Sequence, residues 1–285
     1  MREFARVDSK NLRLRARRDV ASGLVGPYRS AFRGRGLTFE ELRDYTPGDD
    51  VRWMEWNATA RLARPIVKRM REERDLVVAL LVDVSRSLTF GSSGTTKRDA
   101  ILRTAAALAY TAFAAQDRVA LVTFDSEPIT CIDPGRGAVH LERVFQALSG
   151  SPREGAPTRP APALRWALRA LPRHSLVLLL TDLLFSDPGP PLRRCARKHE
   201  LVVLRVADPA DSLPRGLPPV RVLAMEEEVP LVLRPTRGPS PGESPSALAP
   251  SDLARLGVDI GTVWTGGRLL ASLRQFLESR PGRAA

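Results

Sequence analysis

The chain has 285 residues, a formal net charge of +12, a pI near 10.9 and 43% hydrophobic residues, enough to bury a sizeable core in one large domain or in a domain with an elaboration. No apolar run approaches the roughly 20 residues that cross a bilayer, and the opening M-R-E-F-A-R-V-D lacks the apolar core of a signal peptide. The expected compartment is the cytoplasm, and Cys131 and Cys195 are too few for a disulfide framework or a Cys-rich zinc site. The positive charge admits a nucleic-acid or acidic partner. It is spread along an Arg-, Ala-, Pro-, Gly- and Leu-rich sequence, however, which fits a general compositional bias; the densest run is Arg13 to Arg18, in L-R-L-R-A-R-R.

Residues 1–25 mix charge and Leu with weak helical periodicity, suited to one amphipathic helix or an extended arm. Gly26-Pro27, Gly34 and Gly36 then punctuate a flexible segment. Over 37–74 acids alternate with Arg, Pro47-Gly48 marks a turn, and Trp53 and Trp56 stand three apart, as on one helical face. On residues alone this reads as a helix-turn-helix or hairpin cover, with both tryptophans in a small core and Asp49, Asp50, Arg52 and Glu55 pairing locally. Residues 65–70 read as a short strand leading into residues 76–82, L-V-V-A-L-L-V, an unbroken apolar run of the kind buried on both faces of a sheet.

After F-G-S-S-G-T-T-K, which fails as a phosphate loop because Lys97 follows Thr96 rather than a glycine, strands and helices alternate. Helices are expected over 98–115, 139–148, 161–171, 190–199 and 268–280, and strands over 119–124, 174–181, 201–206 and 259–264. The fold class is therefore α/β, with a doubly wound, mainly parallel sheet. Between 207 and 250 the pattern loosens into an insertion, with a small hairpin from 220–224 and 229–234 and a Pro/Gly/Ser-rich loop over 235–250. Residues 1–72 form the N-terminal arm and signature region, and 73–285 the α/β domain.

In such a sheet, loops that follow neighbouring strands share one edge. Asp83, Ser85 and Ser87 follow the first central strand, Thr158 precedes the helix at 161, and Asp182 ends the strand at 181. One end of the sheet thus receives two carboxylates and three hydroxyls, a hard-oxygen donor set suited to Mg²⁺ or Mn²⁺ rather than zinc. With few direct carboxylates, such an ion stays electrophilic and can take an acidic side chain from another molecule.

The D-x-S-x-S of Asp83, Ser85 and Ser87, with Thr158 and Asp182, resembles the metal-ion-dependent adhesion site of von Willebrand factor A domains, in which the partner supplies the last ligand. The stretch G-R-G-L-T-F-E-E-L-R-D-Y-T-P-G-D-D-V-R-W-M-E-W-N-A-T-A-R, residues 34–61, resembles the signature that precedes the A-type domain in the bacterial "domain of unknown function 58" family. Within it Arg43, Tyr45, Gly48, Asp49, Asp50, Arg52, Trp56 and Arg61 are the candidate signature or partner-facing residues. Departures from the pattern are G-A-P-T where Gly-Gly-Thr is expected before Thr158, Glu55 where Asp is more frequent, and the missing pair of N-terminal membrane helices that many members carry, which suggests a soluble short form. The resemblance implies an accessory to a MoxR-type AAA+ ATPase, acting as adaptor or recruiter of a client protein.

The leading expectation is a non-enzymatic module in which Mg²⁺ or Mn²⁺ recruits an acidic partner residue. One rival is a phosphoryl-transfer or hydrolase enzyme built on Asp83. The phosphatase pattern D-x-D needs a second Asp as general acid, and that position is Ser85. There is no G-x-S-x-G elbow, and His140, His174 and His199 fall at helical or strand-start positions. A basic nucleic-acid binder is the other rival; the basic stretches lack interleaved aromatics.

Overall fold

A computed structural model describes residues 8–21, 23–32, 37–72, 76–92, 94–150, 157–185, 187–211, 220–223, 230–233, 250–266 and 269–280. Two helices, α1 (Ser9–Ala21) and α2 (Val25–Phe32), precede strand β1 (Leu37–Asp44), helix α3 (Trp56–Leu62) and strand β2 (Ile66–Glu72). The central part runs β3 (Val77–Asp83), α4 (Lys97–Ala114), β4 (Arg118–Phe124), β5 (Pro128–Gly135), α5 (Ala138–Leu148), α6 (Ala161–Ala170), β6 (Leu176–Thr181), α7 (Pro190–Lys198) and β7 (Glu200–Ala207). A hairpin of β8 (Val220–Leu223) and β9 (Pro230–Leu233) follows, and α8 (Pro250–Arg255), β10 (Asp259–Trp264) and α9 (Leu269–Ser279) close the chain.

Six strands form the main sheet in the order β10-β7-β6-β3-β4-β5, all parallel except β5, which runs antiparallel to β4 at the edge. This is the doubly wound, mainly parallel sheet expected. Every residue of β3 is buried, and alternation divides them between the faces: Val78, Leu80 and Val82 pack into one core, and Val77, Ala79 and Leu81 into the other. Helices α4, α5 and α9 supply the first layer and α6, α7 and α8 the second. Because β4 and β6 flank β3, the chain reverses direction across the sheet there, and the loops after β3 and β6 border the crevice where α/β sheets hold ligands.

The N-terminal helices are part of the first layer. Leu12, Ala16 and Val20 of α1 recur every four residues and enter its core with Tyr28, Ala31 and Phe32 of α2. Their cover explains why α4 is buried on almost every side. Arg103 holds Asp19 through two bonds of 2.9 Å, the Tyr28 hydroxyl donates to Asp117 at 3.0 Å, and Arg280 donates to Asp259, Glu200 and the Ala31 carbonyl while lying 4.7 Å from the Phe32 ring. The run Arg13 to Arg18 is the solvent side of α1: Arg13, Arg15, Arg17 and Arg18 are exposed and Leu12 and Ala16 face inward.

Strands β1 and β2 form a separate antiparallel ribbon with a bulge between Phe39 and Glu41. A 3₁₀ turn, Val51–Trp53, and α3 fill the connection. The hairpin form expected here is present, but the small tryptophan core is not: Trp53 is 39% and Trp56 66% exposed, while Ile66 and Val67 of β2 are the ribbon's buried apolar residues among those described. Trp53 ends the 3₁₀ turn and Trp56 begins α3, so the two rings share no helical face on which to turn inward together. The loop expected over 235–250 lies outside the described residues up to Pro250, which opens α8. Among the described residues no helix is long and apolar enough to cross a membrane.

Candidate metal centre

Val84 continues the β3 ladder by donating to the Phe124 carbonyl at 2.8 Å, and the chain then folds into a 3₁₀ turn over Arg86–Thr89. The Ser85 amide donates to Asp83 Oδ1 at 2.9 Å, closing a small ring that points both serine hydroxyls the same way; they lie 3.1 Å apart. Thr158 arrives just before α6, its loop tied to the end of β4 by the Arg159 amide on the Asp125 carbonyl, and its hydroxyl donates to Ser85 Oγ at 2.6 Å. Thr181 donates to Asp83 Oδ2 at 2.7 Å. Asp182 follows, aimed by Leu183 in the left-handed region (φ 64°), with its Oδ1 accepting from the Leu184 amide at 3.1 Å.

All five residues expected at this edge therefore meet there, each at most 5% exposed. The loops after β3 and β6 and the segment just before α6 each deliver part of the set, which is why separation in sequence does not separate them in space. Burial pushes the Asp83 carboxyl well above the usual range, and the Asp182 charge adds to it against hydrogen bonds from Ser85 and Thr181. Burial likewise raises Asp182, and the Lys97 charge, the Leu184 amide and the Ser87 hydroxyl pull it only part of the way back. The ionised forms of both neighbouring carboxylates are thus penalised, a penalty that a bound cation would relieve.

The donor set fits a hard divalent ion on a further observation: Asp182 Oδ2 is buried and meets no hydrogen-bond partner among the described residues. Among those residues no group of three or more His, Cys, Asp or Glu side chains could hold a metal, so any ion at this edge would need the hydroxyls as ligands, as Mg²⁺ and Mn²⁺ allow.

Several neighbours escape notice in the sequence. Asp125, just after β4, is buried, and its Oδ2 has no partner among the described residues. Asp208, just after β7, accepts from the Ser92 amide and hydroxyl and from Thr265, binding the loops after β3, β7 and β10 together. Burial raises the Asp208 carboxyl, but the bonds from Ser92, Thr265 and the Ala210 amide outweigh it and hold it at about 2. Lys97, the first residue of α4, is buried and pairs with Asp211 at 2.7 Å.

The signature residues form a different kind of assembly. Arg43 grips Asp49 with bonds of 2.8 and 2.6 Å, and Thr46 donates to the same carboxylate through its amide and hydroxyl. Pro47 and Gly48, the latter at φ 107°, form the turn that the Asp49 amide closes on the Thr46 carbonyl. Asp50 caps the 3₁₀ turn and holds Arg52, Glu55 pairs with Lys68, and the Tyr45 amide donates to the Pro65 carbonyl. Trp56 and Arg61 are exposed. The local pairing expected of these charges is present, and the rings project from it.

Of the histidines, His140 contacts the Val119 carbonyl at 2.7 Å and His199 is buried at the start of β7, neither near the carboxylates. A shallow cavity of about 380 Å³ lies at the opposite end of the sheet, lined by Leu168, Arg173, His174, Arg194, Arg197 and Lys198.

The model of the family described as "Protein of unknown function DUF58" matches residues 41–231. Uncharacterized proteins of Mycobacterium tuberculosis and Mycobacterium bovis are 31% identical over 209 residues, 71% of this chain and 65% of theirs. The chain thus spans less than two thirds of the length of these relatives. Among solved structures it is similar to the conserved hypothetical protein BatB from Bacteroides thetaiotaomicron, with a TM-score of 0.48 and 16% identity over 72% of this chain and 98% of that one. It is also similar to the SpRpn10 VWA domain, with a TM-score of 0.44 and 13% identity over 74% and 98%.

Proposed function

Because the chain belongs to the family described as "Protein of unknown function DUF58" and its von Willebrand factor A-like sheet gathers five oxygen-bearing side chains at one edge, we propose that it is a non-enzymatic, metal-dependent interaction module. Asp83, Ser85, Ser87, Thr158 and Asp182 are the residues that would hold Mg²⁺ or Mn²⁺. The observation that carries this reading is the buried Asp182 Oδ2, without a hydrogen-bond partner among the described residues, beside a chain of touching hydroxyls.

When bound, the ion would supply an electrophilic position for a carboxylate of a partner protein. The chain's own residues do the rest. Thr181 and the Ser85 amide fix both oxygens of Asp83, and Ser85 orients the hydroxyls of Ser87 and Thr158. All five are buried. Asp83 lacks the second acid that phosphoryl transfer from a D-x-D motif requires, since Ser85 stands there.

The partner class that suits the family resemblance is a MoxR-type AAA+ ATPase, with a client protein as third component. The exposed Trp56 and Arg61 of the ribbon provide a second contact for the ATPase.

Calorimetric titration with Mg²⁺ and Mn²⁺ tests the metal, with Asp83→Ala alongside. The expected result is binding by the wild type, none by the variant, and a folded variant by circular dichroism. Equal binding by the two proteins sinks the proposal.

A further inference from the structure

The end of the sheet away from the candidate centre carries charge of the opposite sign. Helices α6 and α7 lead into the parallel strands β6 and β7, so both end side by side at the amino edge of those strands. The shallow cavity of about 380 Å³ found there is lined by Leu168 of α6, Arg173 and His174 of the turn before β6, and Arg194, Arg197 and Lys198 of α7, with no carboxylate among them. Arg194 and Arg197 stand three apart and share one helical face. The turn is fixed from two sides: the His174 amide donates to the Lys198 carbonyl at 3.0 Å, and Ser175 Oγ donates to the Pro172 carbonyl at 2.8 Å. His174 itself stands in the left-handed region, at φ 60°.

Part of this positive charge has an internal use. Helix carboxyl ends carry about half a negative charge each, and Lys198 Nζ serves the end of α6 by donating to the Leu168 and Leu171 carbonyls at 2.6 and 2.9 Å. The two helix ends together offset about one positive charge, whereas Arg173, Arg194, Arg197 and Lys198 supply four. Roughly three remain. The neighbouring Arg193 pairs with Asp187 at 2.9 Å, but Arg173, Arg194 and Arg197 are exposed and have no ion-pair partner among the described residues.

We propose that this cavity is a binding site for a small molecule bearing a phosphate or pyrophosphate group. Guanidinium forks match phosphate oxygens two at a time. A phosphate monoester carries about −1.5 to −2 at pH 7 on three acceptor oxygens, which answers a surplus that a single carboxylate would leave mostly uncompensated. The volume falls within the roughly 300–1,000 Å³ of small-molecule sites. With the turn fixed and Lys198 pinned, part of the rim is in place before the ligand arrives.

The test is calorimetric titration of the full chain with sodium pyrophosphate, in buffer free of divalent ions and at fixed ionic strength. Wild type should bind. Arg194→Ala/Arg197→Ala should bind about 100-fold more weakly, about 10-fold for each charged donor lost. Arg15→Ala/Arg17→Ala removes the same charge from the exposed side of α1 and should stay within about twofold of wild type, because distant surface charges are screened. Arg173→Ala probes the turn with α7 untouched and should lose about 10-fold; all these side chains are exposed, and melting temperatures confirm that each variant folds. Absence of pyrophosphate binding in the wild type, or equal losses in the cavity and α1 variants, overturns the proposal. Citrate bound as tightly as pyrophosphate would make this a carboxylate site and overturn the phosphate assignment.

Discussion

At the carboxyl edge of the sheet, Asp83 and Asp182 are buried beside Ser85, Ser87 and Thr158, and one Asp182 oxygen lacks a partner among the described residues. In the β1–β2 ribbon, Asp49 and Asp50 are held by Arg43 and Arg52 on the surface, and the Arg43 bonds keep the Asp49 carboxyl well below the usual range. The same residue types thus meet opposite fates. Carboxylates paired to guanidinium in the ribbon have their charge satisfied and serve to hold a turn. Those in the sheet edge are kept from water and, among the described residues, from any direct ion pair, so burial penalises their ionisation. The sheet edge thus holds carboxylates whose charge is unsatisfied, whereas the ribbon holds ones already paired.

The largest expected effect separates these regions through a residue that is not itself a proposed ligand but holds one. Thr181→Val removes the 2.7 Å donor to Asp83 Oδ2 and should cost about 10–100-fold in Mn²⁺ affinity, as loss of an outer partner of a metal ligand does. Arg43→Ala, which dismantles the ribbon's bidentate pair, should leave Mn²⁺ affinity unchanged in the same calorimeter. Equal losses in both would erase the distinction.

A smaller effect tests how the edge is framed. Asp208→Ala strips Ser92 and Thr265 of their buried acceptor and should lower stability by about 2–3 kcal/mol in urea melts. With its folded pKa at about 2, below the unfolded carboxyl value, Asp208 contributes stability above roughly pH 4 that is lost only as the pH falls through about 2. His199 behaves in the opposite region of charge: burial, aided by the Lys198 and His174 charges, lowers it to about 4. Because the unfolded chain takes up that proton near pH 6.5, His199 makes stability fall as pH drops from about 6.5 toward 4 and has no effect above. His199→Leu should flatten the melting temperature over that range; an unchanged slope would assign the acid sensitivity elsewhere.

Much of the sheet and its edge was legible because the signals are local or periodic. The residues of β3 announce a strand buried on both faces, and the alternation that follows places the loops of Asp83, Thr158 and Asp182 together before any contact is known. Strand β5 was not legible: P-I-T-C-I-D-P-G has proline near both ends and only two isoleucines, as suits an antiparallel edge. Helix α1 hides its inward face in Leu12, Ala16 and Val20 among arginines. Asp208 and Asp211 gave no signal, and Lys97 was noticed only in a phosphate-loop pattern that fails, because their contacts exist only where loops distant in sequence meet. The tryptophan spacing misled for a related reason: a period of three suits one helical face, but Trp53 ends a 3₁₀ turn and Trp56 begins α3, so no shared face forms.

The smallest effect on stability belongs to the ribbon's aromatic surface and bears most directly on partner choice. Trp53 and Trp56 are exposed with Val51 and Leu62, so truncating both rings should shift global stability by no more than about 0.5 kcal/mol and leave Mn²⁺ binding intact. Tryptophans that anchor an interface cost about 2 kcal/mol or more when removed, roughly 30-fold in affinity. If the ribbon is the second contact with the ATPase, Trp53→Ala/Trp56→Ala should therefore weaken capture of a purified MoxR-type ATPase by about that factor, both with and without divalent ion, while Asp83→Ala weakens only the ion-dependent part. Unchanged capture by the double variant would leave the sheet edge as the docking region and reduce the ribbon to a self-contained cover.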